Sequence, residues 1–269
     1  MLIKNINCLL NQTVSLDNIY IIDNASTDGT ENYIEKLGIL NNENITYIKL
    51  NENTGGSGGF YEGIKRAYED GFDYIWGMDD DAYPNFNALF ELTKVQAKLG
   101  KNICLWSNCD LDDKFNTNCK EVDYLMFVGF YLPRNIINKV GYPRKDFFIY
   151  HDDSEYAYRI INNGFKIYKV RNSIINHNNV SSEKTIYKKT VFNMIIKLPK
   201  LSNWKMYYFV RNSIIMYNVR DYNRYKQIFI ILPKLFIKIC LLGTKQKRVF
   251  LKGYIHGILG ISGKKVLPY

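Results

Sequence analysis

The chain is predicted to fold as an α/β protein with a mostly parallel sheet flanked by helices, followed by a basic helical extension. Three observations predict this fold. Short apolar runs alternate with segments of helical periodicity over residues 1–183. Polar clusters follow three of the apolar runs, at the strand ends where parallel sheets bind ligands. From residue 184 to residue 269 the pattern changes to longer helical stretches rich in Ile, Leu, Tyr and Lys.

The first predicted unit begins with the apolar run Asn18–Asp23, which is typical of a buried strand. A turn over residues 24–29 leads into a helix that ends near Leu37, at Gly38. Ile45–Leu50 is the second predicted strand. The elements predicted next are a glycine-rich loop over Asn51–Gly59, a helix from Phe60 to Gly71, a strand Phe72–Met78, a helix from Pro84 to about Gly100 and a strand Ile103–Ser107.

The net charge is unevenly distributed along the chain. Residues 1–183 carry 18 Lys and Arg against 25 Asp and Glu, a net charge of −7. Residues 184–269 carry 18 Lys and Arg against one acid, Asp221, a net charge of +17. The stretch Ile228–Leu242 is predicted to lie on an anionic membrane surface as an amphipathic helix, or to pack on the sheet domain as a helical cap. No run of 18 apolar residues predicts a transmembrane helix.

The cysteines indicate a reducing environment. They are five in number and none has CxxC spacing, which argues against a zinc knuckle and against a disulfide framework. Free thiols are therefore expected. Residues 1–11 lack the apolar core of a signal peptide. Together with the basic region, these features predict a cytoplasmic protein that binds peripherally to the inner face of the cell membrane.

Three adjacent aspartates, Asp79–Asp81, follow the third predicted strand. Asp79 and Asp81 are two positions apart, so their carboxylates can point to one side and supply the hard oxygen ligands that Mg²⁺ and Mn²⁺ prefer. Such a cation binds a diphosphate. The alternative is a helix N-cap before Pro84, for which one aspartate is sufficient. Because three adjacent acids repel one another, the pattern favours the metal site.

A second acidic pair, Asp152 and Asp153, precedes a segment whose helical spacing continues to Ile160. At a helix N-terminus the dipole favours an ionised carboxylate, which is able to accept a proton from a hydroxyl group. The alternative for one of the pair is simple capping. Glu155 and Arg159 are four residues apart and are predicted to form an ion pair within the helix.

Two further features have a weaker signal. The glycine-rich segment Asn53–Gly59 matches neither GxGxxG nor the P-loop, because Tyr61 and Ile64 occupy positions that those motifs require for other residues. A glycine-rich turn before a helix still allows the backbone to approach a ligand. His177 ends a short apolar strand, and its spacing leaves both a structural role and a metal-ligand role open.

Five segments, in this order, resemble family 2 glycosyltransferases, and in particular their galactofuranosyltransferase and rhamnosyltransferase branch. The resemblance covers about residues 8–180 and also Tyr207–Asn212. The order of the motifs is specific for the family and much less specific for the sugar. The five segments are Ile22–Thr30, Asn53–Phe60, Met78–Asp81, Val128–Arg134 and His151–Tyr156.

The resemblance implies a Rossmann-like GT-A fold and the inverting transfer of galactofuranose or rhamnose from a UDP- or dTDP-linked donor. The acceptor would be a glycan or a lipid-linked glycan in cell-surface polysaccharide synthesis. The resemblance also implies that Asp79 and Asp81 hold Mn²⁺ or Mg²⁺ with His177 as a third ligand, and that Asp153, paired with Asp152, is the general base. The expected donor-binding residues are Asp23, Asn24, Asn53, Gly55, Gly56 and Asp80.

Members of this family begin with a strand and a nucleotide-contacting turn ahead of the segment that matches Asn5–Thr13. The chain is therefore expected to start inside the following helix, without that central strand and its part of the donor pocket. This expectation raises an alternative: a truncated, catalytically inactive glycosyltransferase-like protein that binds nucleotide or membrane only.

Two other classes of protein were weighed. The +17 region suggests nucleic-acid binding, but its basic residues are interleaved with Ile and Leu at helical spacing, which favours a lipid surface or a core. A nucleotidyltransferase on a similar fold is disfavoured because the chain lacks that class's N-terminal glycine-rich phosphate loop.

Overall fold

The computed structural model describes residues 1–109, 115–177, 186–191, 194–216 and 223–267. The domain boundary predicted between residues 183 and 184 lies outside these ranges, as does Asp221. In the N-terminal part, helices and strands alternate as the hydrophobic pattern predicts. The elements are α1 Leu2–Leu10, β1 Ile19–Asp23, α2 Thr30–Lys36, β2 Ile45–Lys49, α3 Gly55–Glu69, β3 Tyr74–Gly77, β4 Ala82–Pro84, α4 Ala88–Leu99, β5 Ile103–Asn108, β6 Cys119–Val122, β7 Phe130–Pro133, α5 Arg134–Val140, α6 Asp152–Asn162 and β8 Lys166–His177.

The strands form a parallel pair and a larger sheet. β1 and β2 pair in parallel. The six-stranded sheet has the order β3-β7-β5-β8-β4, with β6 also paired to β8. The strands that follow helices, β3, β5 and β8, run in one direction, and β4, β6 and β7 run in the other. The predicted α/β fold is confirmed. The three reversed strands were not predicted, because runs of three or four residues are too short to show a period.

Two local predictions were wrong. The segment Asn51–Gly59 is a loop only in its first part, since α3 begins at Gly55. Pro84 does not begin a helix. It ends β4, and α4 begins at Ala88. Because β4 lies at the end of the sheet, a proline that lacks a backbone donor is tolerated there.

Helices cover both faces of the six-stranded sheet. Neighbouring residues on β5 point to opposite faces: Trp106 packs with Ile64 of α3 and Ile160 of α6, whereas Leu105 packs with Leu92 of α4. All five side chains are almost completely buried. Full burial of an apolar side chain of this size contributes about 1.5–3 kcal/mol. The two layers of helices therefore hold the strand ends, and the polar residues that follow them, in place.

From Asn203 onward the described residues of the C-terminal part are mainly helical, as predicted. An unpredicted antiparallel strand pair, β9 Ile186–Val191 and β10 Met194–Pro199, precedes the helices. Among the described residues, no helix is both long and apolar enough to span a bilayer. The C-terminal helices are α7 Asn203–Ile215, α8 Arg224–Lys226, which continues through a π-helical turn Gln227–Ile231 into α9 Leu232–Leu241, and α10 Lys247–Ile258.

The C-terminal helices pack closely on one another. α10 lies against α7 at two glycines, where a side chain would collide with the neighbouring helix. A Cβ atom on Gly253 would lie 2.6 Å from the carbonyl oxygen of Tyr207, and one on Gly257 would lie 2.8 Å from Cβ of Ile214. α9 and α10 are joined by the ring contact of Phe236 with Phe250. None of the five cysteines, all of which are described, forms a disulfide.

Candidate active site

Two acidic residues and one histidine converge at the end of β3. Asp79 and Asp81 follow this strand, and His177 is the last residue of β8. The antiparallel register of β4 and β8 places Ala82 opposite His177. Asp81 is thereby brought next to the imidazole, with 2.9 Å between its Oδ1 atom and Nε2 of His177. One ligand atom from each of Asp79, Asp81 and His177 lies within 4.8 Å of the others.

The donor set of this triad fits a divalent cation. Two carboxylate oxygens and one imidazole nitrogen suit Mn²⁺ and are compatible with Mg²⁺. Burial, and then the charge of Asp81, raise the pKa of Asp79 to about 6. A carboxylate that is costly to ionise alone becomes easy to ionise beside a cation. Asp80, between the two ligands, is exposed and does not belong to the triad.

The loop that carries Asp79 and Asp81 is anchored by Asn5, a residue that the sequence did not single out. Asn5 is buried on α1, and its side-chain amide donates hydrogen bonds to the carbonyl oxygens of Ala82 and, at 3.4 Å, Asp79. The signal that could have found it is a polar residue on the apolar face of an amphipathic helix, next to Ile6.

The second acidic pair lies at the N-terminus of α6, as predicted. Asp152 and Asp153 are the first two residues of this helix. The Oδ1 atom of Asp153 accepts hydrogen bonds from the backbone N–H of Ser154 at 2.6 Å and from its hydroxyl at 3.1 Å. These bonds hold the Asp153 carboxylate in one orientation. The predicted ion pair of Glu155 with Arg159 is also present, at 2.7 Å.

The two aspartates of this pair have different proton affinities. Burial, and then the charge of Asp153, raise the pKa of Asp152 to about 6. Burial also raises the pKa of Asp153, although hydrogen bonds from Ser154 oppose the shift. Asp152 is the more deeply buried of the two and is destabilised by its neighbour's charge, so it retains its proton to higher pH. Asp153 is therefore the member of the pair better suited to accept a proton.

The two acidic groups share one electrostatic environment. The charge of Asp152 contributes to the raised pKa of Asp79, although 73 positions separate them in the sequence. Next to the pair, burial lowers the pKa of His151 to about 4, so this imidazole is neutral at physiological pH. The sequence predicted Asp79–Asp81 at the ligand-binding edge of the sheet and Asp152–Asp153 at a helix N-terminus, and in the fold the charge of Asp152 acts on Asp79.

The glycine-rich segment Asn53–Gly59 is hydrogen-bonded to Asn24 and packs against the turn before Asp152. Oδ1 of Asn24 accepts hydrogen bonds from the backbone N–H of Thr54 at 2.8 Å and from its hydroxyl at 2.9 Å, and its Nδ2 donates to the carbonyl oxygen of Gly55 at 2.8 Å. Asn53 accepts from the N–H of Gly55 at 2.9 Å. Gly55 has φ +74°, and a Cβ atom there would lie 1.9 Å from the carbonyl oxygen of Phe148. Glycine at this position allows close approach of the turn that leads to Asp152.

Asp23, at the end of β1, is engaged within the protein. Its carboxylate accepts hydrogen bonds from the N–H of Ser26 at 2.7 Å and from the hydroxyl of Tyr47. Burial raises the pKa of Asp23, but these hydrogen bonds outweigh it and the net shift is downward, so the carboxylate stays ionised. Gly56 is exposed, and a Cβ atom there would meet no atom within 4 Å. Donor contacts by these residues stay a prediction.

The fold is similar to that of solved glycosyltransferase structures. GalNAc-T7, solved with UDP, GalNAc and Mn²⁺, superimposes with a TM-score of 0.60 at 12% identity over 97% of this chain and 55% of that chain. A mannosyltransferase from Pyrobaculum calidifontis, solved with GDP-Man and Mn²⁺, has a TM-score of 0.60 at 11% identity over 97% and 84%. S. aureus TarS 1–349 with UDP-GlcNAc has a TM-score of 0.56 at 14% identity over 96% and 77%.

These likenesses, at low identity, establish the GT-A fold. The chain spans about half the length of the GalNAc-T7 chain that it matches. No curated protein shows significant sequence similarity to it. The family profile described as Glycosyl transferase family 2, however, matches residues 1–159, more than half of the chain. The chain belongs to glycosyl transferase family 2.

Proposed function

We propose that the protein is an inverting, metal-dependent glycosyltransferase that moves galactofuranose or rhamnose from a UDP- or dTDP-linked donor to a glycan hydroxyl in cell-surface polysaccharide synthesis. One observation carries the proposal. The triad of Asp79, Asp81 and His177 could hold a cation, and the aspartate pair that could accept a proton is close enough for the charge of Asp152 to act on Asp79. The sugars follow from the motif resemblance. Nucleotides or nucleotide sugars in the solved neighbours, with Mn²⁺ in two of them, support the donor class and the cation.

In the proposed reaction, Asp79, Asp81 and His177 hold the divalent cation, which when bound neutralises charge on the departing diphosphate. Asp153 accepts the proton of the acceptor hydroxyl while the oxygen attacks the anomeric carbon from the face opposite the nucleotide. General-base assistance of this kind contributes roughly 10²–10⁴-fold in rate.

The donor is proposed to lie between the glycine-rich segment and the triad. Asn53, Gly56 and Asp80 are exposed, and a Cβ atom on Gly56 would meet no atom within 4 Å, so these residues are open to a ligand. Asn24 and Gly55 form the underlying frame through their hydrogen bonds. Asp23 is proposed to contact the base or ribose beside its bonds to Ser26 and Tyr47.

Thermal stability measures the donor site directly. With Mn²⁺ and UDP or dTDP, the unfolding transition is expected to rise, by about 2.7 kcal/mol in free energy at a hundredfold excess of ligand over Kd. ADP and GDP in the same panel report the preference for the base, and EDTA removes the metal. No shift with any nucleotide would contradict a donor site. A shift without sugar transfer in a subsequent assay would favour the binding-only alternative.

The C-terminal region, residues 184–269, is proposed to attach the catalytic region, residues 1–183, to an anionic membrane surface. α9 and α10 expose large apolar side chains next to basic ones. On α10 these are Leu251 and Ile255, 45% and 53% exposed, which alternate at helical spacing with exposed Arg248 and Lys252. On α9, Ile237 is 56% exposed, and in the π-helical turn before it Phe229 is 69% exposed. Apolar residues flanked by lysines and arginines on one helix face are typical of interfacial helices.

Vesicle binding tests this surface. The protein is expected to co-sediment with vesicles that contain anionic lipid and not with neutral ones, since each Lys or Arg near an anionic surface contributes about 1 kcal/mol. The double variant Leu251→Glu, Ile255→Glu is expected to reduce binding at least tenfold. The matched control is Leu99→Glu, since Leu99 has nearly the same exposure, 43%, but lies on the catalytic region. Binding to nucleic acid in preference to anionic vesicles would contradict the proposal that the partner is an anionic membrane.

A further inference from the structure

Two buried polar residues of α7 donate hydrogen bonds to the backbone of the turn that precedes the aspartate pair. Arg211 and Asn212 are both completely inaccessible to solvent. Asp152 and Asp153 are not among their hydrogen-bond partners, and the proposed reaction does not use them. Polar side chains are seldom buried to this extent without a full set of hydrogen bonds, so their partners indicate what they do.

All the partners that Nδ2 of Asn212 contacts lie in the turn. The amide donates to the carbonyl oxygens of Phe147 at 3.0 Å, Ile149 at 2.8 Å and Tyr150 at 2.9 Å. One side chain thus collects three carbonyl oxygens from four consecutive residues. Within the turn, the carbonyl oxygen of Phe147 also accepts a hydrogen bond from the backbone N–H of Ile149 at 2.9 Å.

Arg211 completes the arrangement. Its guanidinium donates to the carbonyl oxygens of Asp146 at 3.1 Å and Phe147 at 2.9 Å, and also to that of Gly263 near the C-terminus. Its Nε–H donates to Oδ1 of Asn212 at 2.8 Å. This last bond sets the orientation of the Asn212 amide, because it requires the oxygen to face the guanidinium and the NH₂ group to face the turn.

The turn needs such support because its backbone is strained. Phe148, Tyr150 and His151 all have positive φ, at 69°, 66° and 66°. Each non-glycine residue in this region costs about 1–3 kcal/mol, and such conformations persist only where surrounding contacts enforce them. The residue after the last of them is Asp152, the start of α6. The conformation of the turn therefore sets where the helix begins and where its first carboxylates point.

We infer that Arg211 and Asn212 are positioning residues for sugar transfer: they lock the strained turn at residues 146–151 and thereby aim the Asp153 carboxylate at the acceptor hydroxyl. The inference rests on the proposed role of Asp153 and extends it to a second region of the chain. It also gives the C-terminal helices a part in catalysis beyond any membrane contact, because the lock is built on α7.

The test replaces the donor group of the lock without changing its size. Asn212→Asp exchanges the NH₂ group for an oxygen that repels the three carbonyls. We expect kcat to fall about 100-fold, the loss typical of a catalytic group displaced by about 1 Å, with the KM for the donor and the Mn²⁺-dependent nucleotide shift unchanged. The control is Met206→Leu on the same helix, a volume-conserving change in the apolar core of the C-terminal helices, which is expected to keep wild-type kcat.

Hydrogen exchange supplies a readout that is independent of activity. In Asn212→Asp, amides of residues 146–155 are expected to exchange faster, while those of residues 79–84 keep the wild-type rate. Arg211→Lys, which keeps a buried cation but loses the forked contacts, is the second variant if the first does not fold. Unchanged kcat in a folded variant, or unchanged exchange over residues 146–155, would overturn the inference. If the wild type transferred no sugar, the proposed function would be refuted instead. Hydrogen exchange over residues 146–155 would then be the only test of whether Arg211 and Asn212 hold the turn.

Discussion

Asp153→Asn is expected to lower kcat by about 10²–10⁴-fold, because the amide cannot accept the proton of the acceptor hydroxyl. The substitution keeps the size of the side chain and its place at the start of α6. The proposed metal ligands, Asp79, Asp81 and His177, lie on β8 and on the loop between β3 and β4, so the thermal shift with Mn²⁺ and nucleotide is expected to match that of the wild type. Steady-state transfer to an acceptor glycan measures kcat.

A matched variant on the same helix separates base catalysis from general damage to α6. Glu155→Gln makes the same carboxylate-to-amide change two residues later, where the group is bound to Arg159 and not directed to the site. It is expected to reduce stability slightly and to keep kcat near the wild-type value. If Asp153→Asn turned over as fast as the wild type, the assignment of the base would be wrong.

Asp79→Asn is expected to have two opposite effects: loss of Mn²⁺ binding and a gain in stability of the metal-free protein. In the folded state the pKa of Asp79 is raised from 3.8 to about 6, so the folded state holds this proton more tightly than the unfolded state. As pH rises from about 4 to about 6, the unfolded state ionises first and the free energy of unfolding falls. In EDTA at pH 7.5, we expect the neutral amide to recover about 2 kcal/mol, from about 1.4 kcal/mol per pKa unit less the amide's own burial cost.

Denaturant unfolding in EDTA at pH 7.5 and pH 4 measures this prediction, together with the Mn²⁺-induced thermal shift at pH 7.5. The stability difference between variant and wild type is expected to shrink to less than about 1 kcal/mol at pH 4, where the carboxyl group is protonated in the folded state and only partly ionised in the unfolded state. Asp73→Asn, an exposed aspartate just before β3, is the control and is expected to change stability by less than about 0.5 kcal/mol. A variant that still shows the full Mn²⁺ shift would exclude Asp79 as a ligand.

Local patterns were sufficient for the α/β class and for the four predicted strands, whose ends move by only one or two residues in the structure. The acidic groups were also visible: Asp79–Asp81 as a polar cluster after a strand, which in a βαβ arrangement lies at the ligand-binding edge, and Asp152–Asp153 as acids at the start of a helical segment. The prediction for Pro84 failed since a three-residue strand is defined by its partner, β8, and not by its own composition.

Which residues come together in the site is decided by packing between elements that are far apart in the sequence. His177 could be a structural residue or a ligand in the sequence, and the register of β4 with β8 places it 2.9 Å from Asp81. Asn5 and Asn212 show no motif of their own that predicts their contacts, because their partners are backbone carbonyls 62 to 77 positions away. Periodicity and motifs report what a residue is and which element it lies on. Which carbonyl or carboxylate it meets is determined by how the elements pack, and here that packing holds the strained turn and aligns the two acidic groups.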